Sequence, residues 1–160
     1  MGEICLAELP RAWPNGAADR QGNDLNAPGA RPIRLLLVDC QRAVRRGLKM
    51  RFALEPDLKV VGEAGDAVET LPMARTLHPD LILMDVELPG VSGTAAIETL
   101  STATPHSGVV IFTLRDDAAT RGRARAAGVA AFVAKHQTEE TLLAAIRGVA
   151  TEQLGRGGAM

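Results

Sequence analysis

"LLLVDCQRAVRRGL" (residues 35–48) opens on an apolar run, Leu35 to Val38, and then sets Asp39 and Cys40 side by side. A run this short, uninterrupted and closed by a carboxylate reads as a strand buried on both faces, delivering Asp39 to its C-terminal end. Helical spacing follows. In 42–55, Val44, Leu48 and Phe52 share one face, while Arg42, Arg45, Arg46 and Lys49 form a basic stripe expected to be solvated. Cys40 is the odd residue. A hard cation at this edge would prefer oxygen to a thiol.

The same alternation continues downstream. "LKVVGEA" (58–64), "DLILMDV" (80–86), "GVVIFTL" (108–114) and "GVAAFVAK" (128–135) read as further strands beside "IRLLLVD" (33–39). Helical segments fall at 66–77, 92–102, 116–127 and 138–150. Ser92 is a candidate N-cap, Asp116 and Asp117 suit a positive helix N-terminus, and Gly128 suits a C-terminal stop. In 138–150, Leu142, Leu143, Ile146, Val149 and Ala150 form one stripe, with Thr138 at its start. Pro72 is expected to bend or delay the helix of 66–77. Five strands alternating with five helices predict an α/β fold, a doubly wound five-stranded parallel sheet with right-handed crossovers.

Composition bounds the rest. At 160 residues, with 46% hydrophobic residues and a formal net charge of -1, the chain is expected to hold one domain, residues 32–150. Residues 1–31, rich in Gly, Pro, Asn and Ala, read as a disordered N-terminal extension, and 151–160 as a flexible C-terminal tail. No basic excess argues for direct nucleic-acid binding, and no segment is long and apolar enough for a membrane. Neither a secretory leader nor a disulfide pattern is visible, since Cys5 and Cys40 stand alone. The expected compartment is the cytoplasm.

In a doubly wound sheet, function collects at the carboxyl ends of the strands. Those ends carry Asp39 and Cys40, Asp85, Thr113 and Lys135. Two carboxylates, a hydroxyl and an ammonium, each at the same edge of a different strand, are hard to read as solvation alone. With them stand "LLLVDC", "RRGL", "VVGEAGDAVETL", "HPDLILMDVELPGVSG", "VVIFTL", "ARAAGVAAFVAK" and "LLAAIRGV". Over nearly all of 32–150 the chain resembles, in order and spacing, the receiver domain of two-component response regulators, particularly the NarL-type branch, a flavodoxin-like fold.

The resemblance implies that Asp85 is the phosphoacceptor, taking a phosphoryl group from a sensor histidine kinase. It implies Mg²⁺ held by Asp39, Asp85 and the backbone carbonyl of Glu87. Lys135 would pair with one phosphoryl oxygen and Thr113 would donate to another, with Phe132 as the aromatic that turns inward when Thr113 moves toward the phosphoryl group. Phosphoryl transfer needs this neutralisation of charge on the equatorial oxygens. Cys40 departs from the pattern, because its position usually holds a second acidic ligand. Losing that carboxylate should weaken Mg²⁺ binding. The Glu87 side chain could restore some charge at the site mouth, with Arg115 as its competing partner.

Two other readings follow from the same residues. Cys40 fits a degenerate receiver that acts as a phosphorylation-independent interaction module. Asp85, Glu87, Thr113 and Lys135 also echo the order of an aspartate-nucleophile phosphohydrolase of the haloacid-dehalogenase kind. Its acidic metal pair beyond the lysine is missing, however, and the nucleophile would sit on the wrong strand. The NarL-type branch usually continues into a DNA-binding half, for which 160 residues leave no room. The expected contacts are therefore a kinase, and a second copy or another signalling protein.

Overall fold

The computed structural model describes residues 31–90 and 92–158. The expected N-terminal extension, Cys5 and Trp13 included, lies outside the described residues apart from Arg31. In chain order the elements are β1 (Ile33–Val38), α1 (Arg42–Phe52), β2 (Leu58–Ala64), α2 (Ala67–Leu77) and β3 (Leu81–Met84). They continue as α3 (Gly93–Ala103), β4 (Gly108–Thr113), α4 (Ala118–Ala127), β5 (Ala131–Ala134) and α5 (Glu139–Gly158). The strands form one parallel sheet in the order β2-β1-β3-β4-β5. Strand order reverses between β1 and β3, and the crevice at that reversal is where such sheets hold ligands.

Both faces of the sheet are covered, as the unbroken apolar runs require. On one face Leu35, Leu37, Leu81, Leu83 and Val110 pack with Phe52 of α1 and with Leu142, Leu143 and Ile146 of α5. On the other, Leu36, Val38, Ile82, Met84 and Ile111 pack with α2, α3 and α4 through Ala74, Ile97, Leu100 and Ala124. Leu35, Leu36 and Leu37 are all fully buried. Truncating any one of them to Ala would cost about 2–5 kcal/mol.

Helix ends follow their local chemistry. Ser92 Oγ accepts from the Ala95 N–H, and Asp117 Oδ1 accepts from the Thr120 N–H. Gly128 closes α4 at φ 105°, a backbone region that side chains disfavour. Pro72 does not delay its helix, which begins at Ala67 on the Asp66 cap and runs unbroken to Leu77. It lies inside a continuous α2 on the exposed side, where the unpaired carbonyl one turn back has access to water.

The C-terminal end also differs. The helix of α5 continues to Gly158, where a flexible tail was expected from 151. Gln153 Nε2 donates to the His106 carbonyl at 2.9 Å, and the Thr151 hydroxyl bonds back to the Arg147 carbonyl. Gly108, having no side chain, leaves room for Val149 and Gln153 against β4. That anchoring carries the helix past the apolar stripe.

Candidate functional site

β1 and β3 run side by side in register, from Leu35 opposite Leu81 to Val38 opposite Met84. The next residues, Asp39 and Asp85, therefore emerge together at the sheet's carboxyl edge. The Asp85 N–H donates to the Val38 carbonyl and the Asp39 N–H to the Ala64 carbonyl, so the ladder holds both to the last residue. Asp39 is 4% exposed and Asp85 5% exposed. Two carboxylates this deep require compensation.

Lys135, delivered by β5, supplies it. Its Nζ donates to Asp39 Oδ2 at 2.7 Å and to Asp85 Oδ2 at 2.8 Å. Burial alone would lower the Lys135 pKa, but the bonds to Asp39 and Asp85 outweigh it and hold the ammonium above its ordinary value. Thr113, fully buried at the end of β4, donates its hydroxyl to Asp85 Oδ1 at 2.7 Å. The Glu87 N–H donates to the same oxygen at 2.9 Å, and the Gln41 N–H to Asp39 Oδ1 at 2.9 Å. The four strand-end groups named from sequence thus form one hydrogen-bonded cluster.

The remaining named residues sit around it. Cys40 is exposed and free. The Glu87 side chain is also exposed, with an oxygen 3.9 Å from Arg115 Nη1, so the anticipated competitor is its neighbour. Phe132 is half-buried on β5, its ring 4.6 Å from the guanidinium carbon of Arg121.

Arg45 was grouped with the solvated stripe, and here the structure differs. Its guanidinium donates to the Asp39 carbonyl and to Glu63 Oε1, pinning the β1–α1 turn. Arg51 likewise pairs with Glu55 and Glu139. Neither role carries a sequence signal, because each depends on a partner from a separate element.

The donor set of the site is oxygen: two carboxylates and the Glu87 main chain. Asp39 Oδ1, Asp39 Oδ2 and Asp85 Oδ2 each accept one hydrogen bond and retain a lone pair. Such donors fit a hard cation such as Mg²⁺. Among the described residues no cluster of three or more His, Cys, Asp or Glu is placed to hold a metal.

The β3–α3 loop is fixed close to this edge. A Cβ on Gly93 would meet the Val86 carbonyl oxygen at 2.3 Å and its Cα at 2.5 Å, so only glycine lets α3 start there.

The response regulator receiver domain family matches residues 35–147, and the chain belongs to it. Receiver domains are the phosphoacceptor modules of two-component signalling. The chain is 36% identical over 117 residues to the response regulator GacA of Pseudomonas aeruginosa, covering 73% of this chain and 55% of that protein. It is 29% identical over 123 residues to the nitrate/nitrite response regulator NarL of Escherichia coli, covering 77% and 57%. A LuxR-family two-component response regulator from Aurantimonas superposes with a TM-score of 0.71 at 30% identity, over 76% of this chain and 86% of that one. The chain spans little more than half the length of these curated relatives. No helix among the described residues is long and apolar enough to cross a membrane.

Proposed function

We propose that this chain takes a phosphoryl group from a sensor histidine kinase onto Asp85 and signals by protein–protein contact, with Mg²⁺ binding weakened because Cys40 replaces an acidic ligand. One observation carries the reading. Asp85 is buried at a strand end with Thr113 on one oxygen and Lys135 on the other, and both partners come from separate strands.

The transfer balances simply. A carboxylate oxygen of Asp85 bonds to phosphorus, the bond to the donor's imidazole nitrogen breaks, and the departing histidine keeps that electron pair. Lys135 now holds Asp85 Oδ2 and is placed to follow the charge onto a phosphoryl oxygen. The Thr113 hydroxyl, freed from Asp85 Oδ1, donates to a second one. Asp39, Asp85 and the Glu87 carbonyl would hold Mg²⁺, which when bound neutralises negative charge on the phosphoryl group. Phe132 is assigned the coupled movement that follows Thr113.

Cys40 favours a second reading, a degenerate receiver that works by contact alone. A Mg²⁺ titration of labelling by a small-molecule phosphodonor separates the two. Under the first reading the wild type is labelled at high Mg²⁺, and Cys40→Asp shifts the titration to lower concentration. Absence of wild-type label at every concentration, with label appearing in Cys40→Asp, supports the contact module. We place the protein in the cytoplasm, where a kinase donor acts and a free thiol stays reduced. Its further contact is a second copy or another signalling protein.

A further inference from the structure

Four cations stand together on α1, outside the cluster around Asp85. Arg42, Arg45, Arg46 and Lys49 follow one another at helical spacing, and with Glu63 of β2 they line a cleft of about 360 Å³. Side chains three and four residues apart are neighbours on a helix, so like charges there oppose the helix rather than support it. Arg42 also sits in the first turn, where the helix dipole disfavours a cation and no acidic side chain offsets it.

One carboxylate serves the whole group. Glu63 accepts from Arg45 through Oε1 at 2.8 Å and from Lys49 through Oε2 at 2.5 Å, which uses both of its oxygens. Arg42 and Arg46 are exposed and have no ion-pair partner among the described residues. Four cations against one carboxylate leave positive charge in excess. Arg45 is half-buried and donates also to the Asp39 carbonyl, so its guanidinium is held at the β1–α1 turn. Among the described residues no aromatic or apolar side chain lines the cleft, so nothing there would stack a base or seat a peptide side chain.

We propose that this cleft binds a compact polyanion of the phosphate class, a diphosphate or triphosphate group, recognised by Arg42 and Arg46. A guanidinium presents paired donors that match phosphate oxygens, and such charge-assisted bonds are roughly twice as strong as neutral ones. Cations packed along one short helix face suit a ligand that concentrates several negative charges in a small space. The site is separate from Asp85, where two carboxylates share one ammonium and repel a free anion. Through Arg45, a bound anion lies one side chain away from the Asp39 carbonyl, and so acts on the turn that carries Asp39 and Cys40.

Calorimetric titration with inorganic phosphate, pyrophosphate and tripolyphosphate tests this, at physiological ionic strength and with EDTA to keep divalent cations away from Asp85. Tripolyphosphate binds the wild type at one site, more tightly than pyrophosphate and far more tightly than phosphate. The double variant Arg42→Gln/Arg46→Gln loses at least about tenfold in affinity, the worth of one charge-assisted hydrogen bond. Both side chains are exposed, so without ligand this variant melts no lower than wild type, which separates lost recognition from lost folding. Arg123→Gln/Arg125→Gln removes the same charge from the exposed side of α4 and keeps the wild-type affinity. No binding by the wild type, or an equal loss in the two double variants, overturns the site. Binding of an acidic peptide or a DNA duplex through Arg42 and Arg46, with tripolyphosphate ignored, overturns the ligand class in favour of a macromolecular partner.

Discussion

Asp39 and Asp85 share one ammonium, and that fact governs the chemistry at the scale of single residues. Lys135 has a folded-state pKa above its ordinary value of 10.5, because the two carboxylate bonds outweigh its burial. A basic group with a raised folded pKa contributes stability that is complete below its unfolded pKa and is lost as pH rises through the folded one. The wild type should therefore lose stability above about pH 10.5, the ordinary lysine value. The chain has no tyrosine but two other lysines, Lys49 and Lys59, so the comparison with a Lys135 variant isolates this limb. Denaturant melts between pH 9 and 12 would show the limb in wild type and a flatter one in Lys135→Met. Equal slopes would mean that the lysine is not paired as drawn. Under the proposed function, a third carboxylate at Cys40 would raise the demand for a cation beyond what one ammonium supplies.

Single elements carry two further consequences. Arg147 of α5 donates through Nε to Asp57 Oδ2 at 2.7 Å and through Nη2 to Asp57 Oδ1 at 2.9 Å and Glu55 Oε1 at 2.7 Å. Asp57 is 1% exposed, so Arg147→Ala leaves an uncompensated buried charge and should cost about 3–5 kcal/mol in urea unfolding. A loss below about 1 kcal/mol, the scale of an exposed pair, would contradict the geometry. Pro72 offers the opposite sign. It sits on the exposed side of an unbroken α2, so Pro72→Ala restores a helical hydrogen bond at the expense of some unfolded-state entropy, and should stabilise by about 1–3 kcal/mol. A lower melting temperature in that variant would show that the proline is better placed than its backbone suggests.

Over the whole molecule, how much could be read from the chain depended on how local the signal was. The sheet was legible because each strand is a short apolar run, and a parallel sheet covered on both faces needs such runs. The site was legible because Asp39, Asp85, Thr113 and Lys135 each follow or close such a run, so their convergence needs only the topology. Arg45, Arg51 and Arg147 were not legible. An arginine on a helix looks the same whether it faces water or a carboxylate from a distant strand end, and Asp57 gives no local hint that it is buried. Residues 151–158 misled for a related reason: Gly155, Gly157 and Gly158 weaken helix propensity, while the contact from Gln153 to His106 that anchors the turn is non-local.

The whole account turns on whether Asp85 accepts phosphate, and intact-protein mass spectrometry after incubation with a small-molecule phosphodonor and saturating Mg²⁺ asks this directly. The account predicts one added phosphoryl group on the wild type, released by mild base as an acyl phosphate should be, and none on Asp85→Asn. An unmodified wild type under those conditions, or an adduct that persists in Asp85→Asn, would contradict it.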